Sequence, residues 1–131
     1  KPATEYGKRL EKIIRRAREK NPNLPIYVIG IYNPFYLNFP ELTDMQLVVD
    51  KWNQETESRT RKFSGVYFVP INDLLYKGLE GEQGVSVNTS KIANNLLYGE
   101  DSFHPNNTGY EIIKQAVMEK IRATKQEWKN K

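Results

Sequence analysis

Asp101-Ser102-Phe103-His104-Pro105-Asn106-Asn107-Thr108-Gly109-Tyr110 holds the only histidine in 131 residues and sets a carboxylate three positions before it. Histidine is the one side chain whose ordinary pKa lies near neutrality. A carboxylate on Nδ1 would fix the ring's tautomer and leave Nε2 as a base, which is half of a hydrolytic triad. Pro105 has no N–H to extend an element and biases His104 away from helical dihedrals, so the pair belongs on an irregular turn. Thr108 with Glu111 matches a capping box and predicts a helix from about Gly109. Spacing alone does not make the pair catalytic, because a histidine beside an aspartate is more often a structural ion pair.

The elements on either side read as alternating helices and strands. Thr4 to Lys20 has Tyr6, Leu10, Ile13, Ile14 and Ala17 at helical period, with Arg and Lys on the other face. Asn21-Pro22-Asn23 ends that helix. Ile26 to Ile31 is a continuous apolar run, as expected for a strand buried on both faces, and Tyr32-Asn33-Pro34 stops it. Ligands of open α/β sheets bind beyond the carboxyl ends of strands. Tyr32, Asn33, Phe35 and Tyr36 are therefore a candidate substrate-binding wall, with a packed aromatic loop as the equal alternative. Thr43 and Gln46 form another capping box and open a helix to about Arg61, in which Met45, Val48, Val49 and Trp52 share a core face. Val66 to Val69, closed by Pro70, reads as a second buried strand, so strand, helix and strand make a right-handed parallel βαβ unit. Ile71 to Tyr76 adds a turn or two of helix carrying Leu74 and Leu75. Lys77 to Glu100 is broken by Gly and Ser and has no sustained period, apart from a short helix expected at Lys91 to Leu97. From Gly109, the residues Tyr110, Ile113, Ala116, Val117 and Ile121 form the stripe of a last helix, whose turns beyond Thr124 are polar and expected to fray.

Composition narrows the function classes. A 38% hydrophobic and 27% charged chain of this length fits one globular domain. With no cysteine and one histidine, disulfides and thiolate metal sites are excluded and a zinc centre is disfavoured, so no metal and no cofactor are expected. No apolar run approaches the ~20 residues of a membrane span. The net charge of +4 is uneven: residues 1 to 20 carry eight Lys and Arg against three Glu, and residues 111 to 131 carry six against three. Such runs could bind nucleic acid, but basic residues on amphipathic helices are more often a solvated face, and no aromatics are interleaved with them. No nucleic-acid partner is expected.

The run D-S-F-H-P-N-N-T-G-Y followed by an amphipathic helix resembles the last sequence block of the SGNH hydrolases, also called GDSL esterases and lipases. Ile26 to Phe35, I-Y-V-I-G-I-Y-N-P-F, resembles the penultimate strand and following loop of bacterial members. The resemblance implies the C-terminal part of a flavodoxin-like, three-layer α/β/α fold with parallel strands. It also implies a Ser-His-Asp esterase or acylhydrolase in which His104 is the general base and Asp101 its orienter. The substrate implied is a small-molecule or lipid ester.

The G-D-S block that carries the family's nucleophile, and the blocks that supply its oxyanion-hole Gly and Asn, have no counterpart here. Ser58, Ser64, Ser86, Ser90 and Ser102 lack the G-D-S context, and no G-x-S-x-G elbow offers a substitute. The chain is accordingly expected to be a partial domain, a fragment or a processed form whose missing N-terminal segment is its partner. It is expected to be inactive alone. An unpaired strand edge would favour self-association unless that segment covers it. The alternatives are a non-catalytic binding module, in which the D-x-x-H turn is only structural, and a basic nucleic-acid binder.

Overall fold

Pro2 opens the first helix, α1 (Pro2–Ala17), at a position where a missing N–H costs nothing and a fixed φ suits the helix. The computed structural model describes residues 1–35, 42–75, 97–101 and 103–130. Tyr36, Tyr76, Ser86, Ser90, Ser102 and the helix expected from Lys91 lie outside them, apart from the latter's last residue, Leu97. After α1 come β1 (Ile26–Ile29), α2 (Asp44–Thr60), β2 (Val66–Val69), a single helical turn α3 (Asn72–Leu75) and α4 (Asn107–Trp128).

The two strands pair in parallel, with Ile26 opposite Val66 and Ile29 opposite Val69, so the βαβ unit forms as the sequence predicts. Alternation along the strands sends side chains to two helical layers. On one face Ile26, Val28 and Val66 pack with Leu10 and Ile14 of α1. On the other, Tyr27 and Val69 meet Ile112, Ile113, Ala116 and Val117 of α4, together with Leu75, Leu97 and Tyr98. Helices on both faces of a parallel sheet make the chain an α/β protein of three layers.

β1 is shorter than its apolar run suggests. It ends at Ile29 because the side chain of Asn53 takes over as hydrogen-bond partner, accepting from the Ile31 N–H and donating to the Ile31 carbonyl, both at 2.9 Å. Gly30 passes so close to Phe68 that a Cβ there would lie 2.8 Å from its ring. Nor is the strand buried throughout: Ile29 is 45% exposed and Ile31 42%, since no described residue pairs with the far edge of β1.

The buried stripe of α1 is Ala3, Gly7, Leu10, Glu11 and Ile14, whereas Ile13 is 65% exposed and Ala17 is also outside. A polar contact decides this rotation. Gly7 has no side chain, so Glu55 and Arg59 of α2 approach its backbone. Buried Glu11 then accepts hydrogen bonds from Arg59, from Lys62 at 3.3 Å and from Arg15 at 3.1 Å. Arg59 in turn holds Glu55 at 2.7 Å through Nε. The Arg59 guanidinium, more than Lys62, keeps the Glu11 carboxyl below its ordinary pKa. On α2 the buried residues are Val49, Thr56 and Thr60, with Met45 and Trp52 half-buried, while Val48 faces solvent.

Both capping boxes are corrected. Thr43 has helical dihedrals and makes no side-chain cap, and Gln46, which would reach back to it, spends its amide on Asn33 and on Asp50. At α4 the cap is Asn106, whose Oδ1 accepts the Gly109 N–H at 3.0 Å, so the helix starts two residues earlier than Thr108 and Glu111 suggest. The helix continues past Thr124 to Trp128, and its far end is held in place. Tyr27 reaches it from β1, its hydroxyl 2.6 Å from Oγ1 of buried Thr124, and Trp128 Nε1 donates to the same Tyr27 hydroxyl at 2.8 Å.

Removing that hydroxyl leaves Trp128 Nε1 without its acceptor and Thr124 Oγ1 with only its bond to the Lys120 carbonyl, at 2.7 Å, in a half-buried site. Tyr27→Phe is expected to lower unfolding free energy by about 1–3 kcal/mol. Amide exchange should quicken selectively over residues 124 to 128. Denaturant unfolding and hydrogen exchange would measure both, and an unchanged exchange pattern would show that the helix end is held by something else.

Candidate active site

The turn that carries His104 is fixed first from its ends. Leu97 and Tyr98 are 1% and 2% exposed, and the Tyr98 hydroxyl donates to the Leu75 carbonyl at 3.3 Å. That burial pushes the Tyr98 phenol above its ordinary pKa, so it stays a neutral donor. The chain then leaves the core and returns through a short antiparallel bridge between Tyr98 and Pro105. Gly99 N–H donates to the His104 carbonyl at 2.9 Å and Asn106 N–H to the Leu97 carbonyl at 2.8 Å. Asn106 adds a bond from Nδ2 to the Tyr98 carbonyl at 3.3 Å while its Oδ1 caps α4. Gly109 packs against the Pro105 ring at a distance where a Cβ would lie 2.8 Å away.

Within that closed loop Asp101 organises the rest. Its Oδ1 accepts the backbone N–H groups of Phe103 and His104, both at 2.9 Å, which is an Asx turn reinforced by a second donor. Its Oδ2 lies 2.7 Å from Nδ1 of His104. The His104 bond first, and the two backbone donors after it, hold the Asp101 carboxyl at about 2 instead of its usual 3.8. The geometry gives the ring one stated orientation: Nδ1 toward the carboxylate and Nε2 away from it, with no partner among the described residues. The His104 side chain is 68% exposed.

The loop after β1 reaches the same place. The Tyr32 hydroxyl donates to the Phe103 carbonyl at 3.0 Å, and its ring lies 5.9 Å from that of Tyr98. Burial, more than the nearby Tyr110 and Asp101, raises the Tyr32 phenol's pKa. Phe35 meets Phe103 edge to face at 5.8 Å, and Phe103 meets the His104 ring at 5.2 Å. The turn therefore stands beyond the carboxyl end of β1, flanked by Tyr32 and Phe35. Asn33 sits lower. It is 2% exposed, and it bonds Asn72 through its N–H at 2.8 Å, Gln46 through Nδ2 at 3.2 Å and the Phe35 N–H through Oδ1 at 2.9 Å. Its polar groups hold the loop's shape from beneath.

Tyr98 and Asn106 were not among the residues singled out from sequence, although both build the turn. Tyr98 lies at the end of the stretch with no period, where nothing marks an anchor. Asn106 was legible in principle, since asparagine is among the best N-caps and stands immediately before the helix.

An exposed histidine oriented by a carboxylate thus stands on a turn beyond a parallel strand of an α/β sheet, where ligands of such sheets bind. The sequence profile of the GDSL-like Lipase/Acylhydrolase family matches residues 1–112, and the chain belongs to that family. It is also similar to the uncharacterized protein YpmR of Bacillus subtilis (strain 168), with 34% identity over 117 residues covering 89% of this chain and 41% of YpmR. The chain thus spans about two-fifths of that relative's length. No group of three or more His, Cys, Asp or Glu able to hold a metal ion occurs among the described residues, and no helix there is long and apolar enough to cross a membrane.

The lowered Asp101 pKa has a definite sign. Its stabilising contribution is complete above the ordinary value of 3.8 and is lost as pH falls through about 2. A carboxyl-detected NMR titration is expected to give Asp101 a midpoint near 2. In His104→Ala the midpoint should rise part of the way toward 3.8, because the Phe103 N–H and the backbone N–H of residue 104 remain. A midpoint unmoved by His104→Ala would mean that the ring does not engage Oδ2 in solution.

Proposed function

We propose that this chain supplies the base half of a Ser-His-Asp ester hydrolase and forms the C-terminal portion of its catalytic domain. The observation that carries the reading is the 2.7 Å contact from His104 Nδ1 to an Asp101 carboxylate already held by two backbone N–H groups. In that reading His104 Nε2 takes the proton of a serine hydroxyl as the oxygen attacks the ester carbonyl. The same nitrogen then returns the proton to the leaving alkoxide. Asp101 keeps the ring oriented and stabilises the imidazolium formed in between. Water, deprotonated by His104, releases the acid from the acyl-serine.

The nucleophile and the oxyanion donors come from outside these 131 residues, which contain no G-D-S. The half-exposed Ile29 and Ile31 support this, because a strand added to the far edge of β1 would cover them. Tyr32 and Phe35 flank the turn and, among the described residues, are side chains that a bound ester would meet, with Asn33 fixing the loop below them. Carboxylic esters are the substrate class; thioesters, acetylated sugars and lysophospholipids follow the same chemistry.

Residues 1 to 131 alone are expected to hydrolyse short-chain nitrophenyl esters no faster than their His104→Ala variant. In a longer protein that adds the G-D-S segment, His104→Ala and Asp101→Asn should each lower kcat by about 10³–10⁵-fold with little change in KM. His104-dependent turnover by the 131-residue chain would overturn the assignment of the nucleophile to another segment. An active longer protein indifferent to both substitutions would overturn the role of the turn.

A further inference from the structure

A cleft of about 560 Å³ opens between α2 and α4, floored by Phe68, Val69 and Pro70. Its walls belong to helices on opposite faces of the sheet, with Asp50 and Asn53 on one side and Glu119 and Lys120 on the other. Such a cleft can open only where the sheet stops. No residue of β1 lines it, while Phe68 to Pro70 and Asn72 to Leu74 do, so it borders β2 along its outer edge and carboxyl end.

The register fixes what that edge presents. Ile26 N–H donates to the Gly65 carbonyl and Gly30 N–H to the Val69 carbonyl, so the odd-numbered residues of β2 turn their backbone groups toward β1. Phe68, between them in the alternation, turns its N–H and C=O outward, where no described residue pairs with them. Asn72 lines the same cleft and is 7% exposed. Its Oδ1 is taken by the Asn33 N–H at 2.8 Å, and its Nδ2 has no partner among the described residues. A buried donor of this kind costs free energy until an acceptor reaches it. Charge is equally one-sided: the carboxylates of Asp50, Asp73 and Glu119 stand against the single ammonium of Lys120.

We propose that the outer edge of β2 binds an extended peptide segment with adjacent basic residues, taken up as an added strand. The peptide backbone pairs with the N–H and C=O of Phe68, and one of its carbonyls accepts from Asn72 Nδ2. Neighbouring residues of a strand point to opposite faces, so a Lys-Arg pair reaches Asp50 on the α2 side and Glu119 on the α4 side. The Asp101–His104 turn takes no part, and this site stands or falls independently of ester hydrolysis.

The isotope-labelled chain would be titrated with three octapeptides of Val and Thr: one with a central Lys-Arg, one with Glu-Glu in its place, and the Lys-Arg peptide with alternate backbone nitrogens methylated. The Lys-Arg peptide is expected to shift the Phe68 amide and the Asn72 Nδ2 signals saturably, and to bind more weakly as salt rises. The Glu-Glu and methylated peptides should bind at least about tenfold more weakly. Asp50→Lys combined with Glu119→Lys, both at exposed positions, should cost a similar factor with an unchanged circular dichroism spectrum. Equal binding of the acidic peptide, tolerance of methylation, shifts elsewhere on the molecule, or no saturable binding of the Lys-Arg peptide at about 1 mM would each overturn the proposal. So would concentration-dependent shifts at Phe68 without peptide, which would assign the edge to a second copy of the chain.

Discussion

Everything chemical about this chain depends on the burial of Leu97 and Tyr98, two residues that anchor a loop whose own members are mostly in solvent. With those side chains packed against Leu75 and Val69, the Gly99–His104 and Asn106–Leu97 backbone bonds close the loop, and Asp101 is left little choice of position. The carboxylate accepts three hydrogen bonds at once, two from the backbone that follows it and one from the ring it orients. Holding a histidine on an exposed turn in one orientation costs side-chain entropy. Here that cost is met during folding, by the hydrophobic contacts beneath the turn.

The pattern of alternating helix and strand was legible because it rests on apolar periodicity, and the parallel pairing of Ile26–Ile29 with Val66–Val69 follows from a crossover of that length. The Asp101–His104 contact was legible too, since three-residue spacing and Pro105 leave few other arrangements. What periodicity missed was polar. Gly7 and Glu11 turn α1 toward Arg59 and so expose Ile13, a choice between an apolar and an ionic contact that a stripe of hydrophobic residues cannot register. The capping boxes failed for the same reason, because Gln46 and Asn106 had partners far away in sequence or a role that a shifted register hid. Asn33 looked like a site residue by its place after the strand. Its three hydrogen bonds give the loop its shape, and Tyr32 and Phe35 stand beside His104.

The two edges of the sheet differ in kind. Beyond β1 the neighbouring side chains Ile29 and Ile31 are apolar and half in water, whereas the outer edge of β2 is bordered by carboxylates and a buried amide donor. An apolar border favours permanent cover by a large surface, and a charged one favours exchangeable, salt-sensitive contacts.

The helix that begins at the Asn106 cap ends at Trp128, 22 residues or about 33 Å away, where Tyr27 clasps it. It is thus tied at both ends, to the strand that leads to Tyr32 and to the turn that holds His104, and packed between them through Ile112, Ile113, Ala116 and Val117. The His104 turn and the Tyr32 loop beside it are in this way referred to one strand, β1, whose Tyr27 meets the helix at its far end and whose following loop meets the turn at its near one.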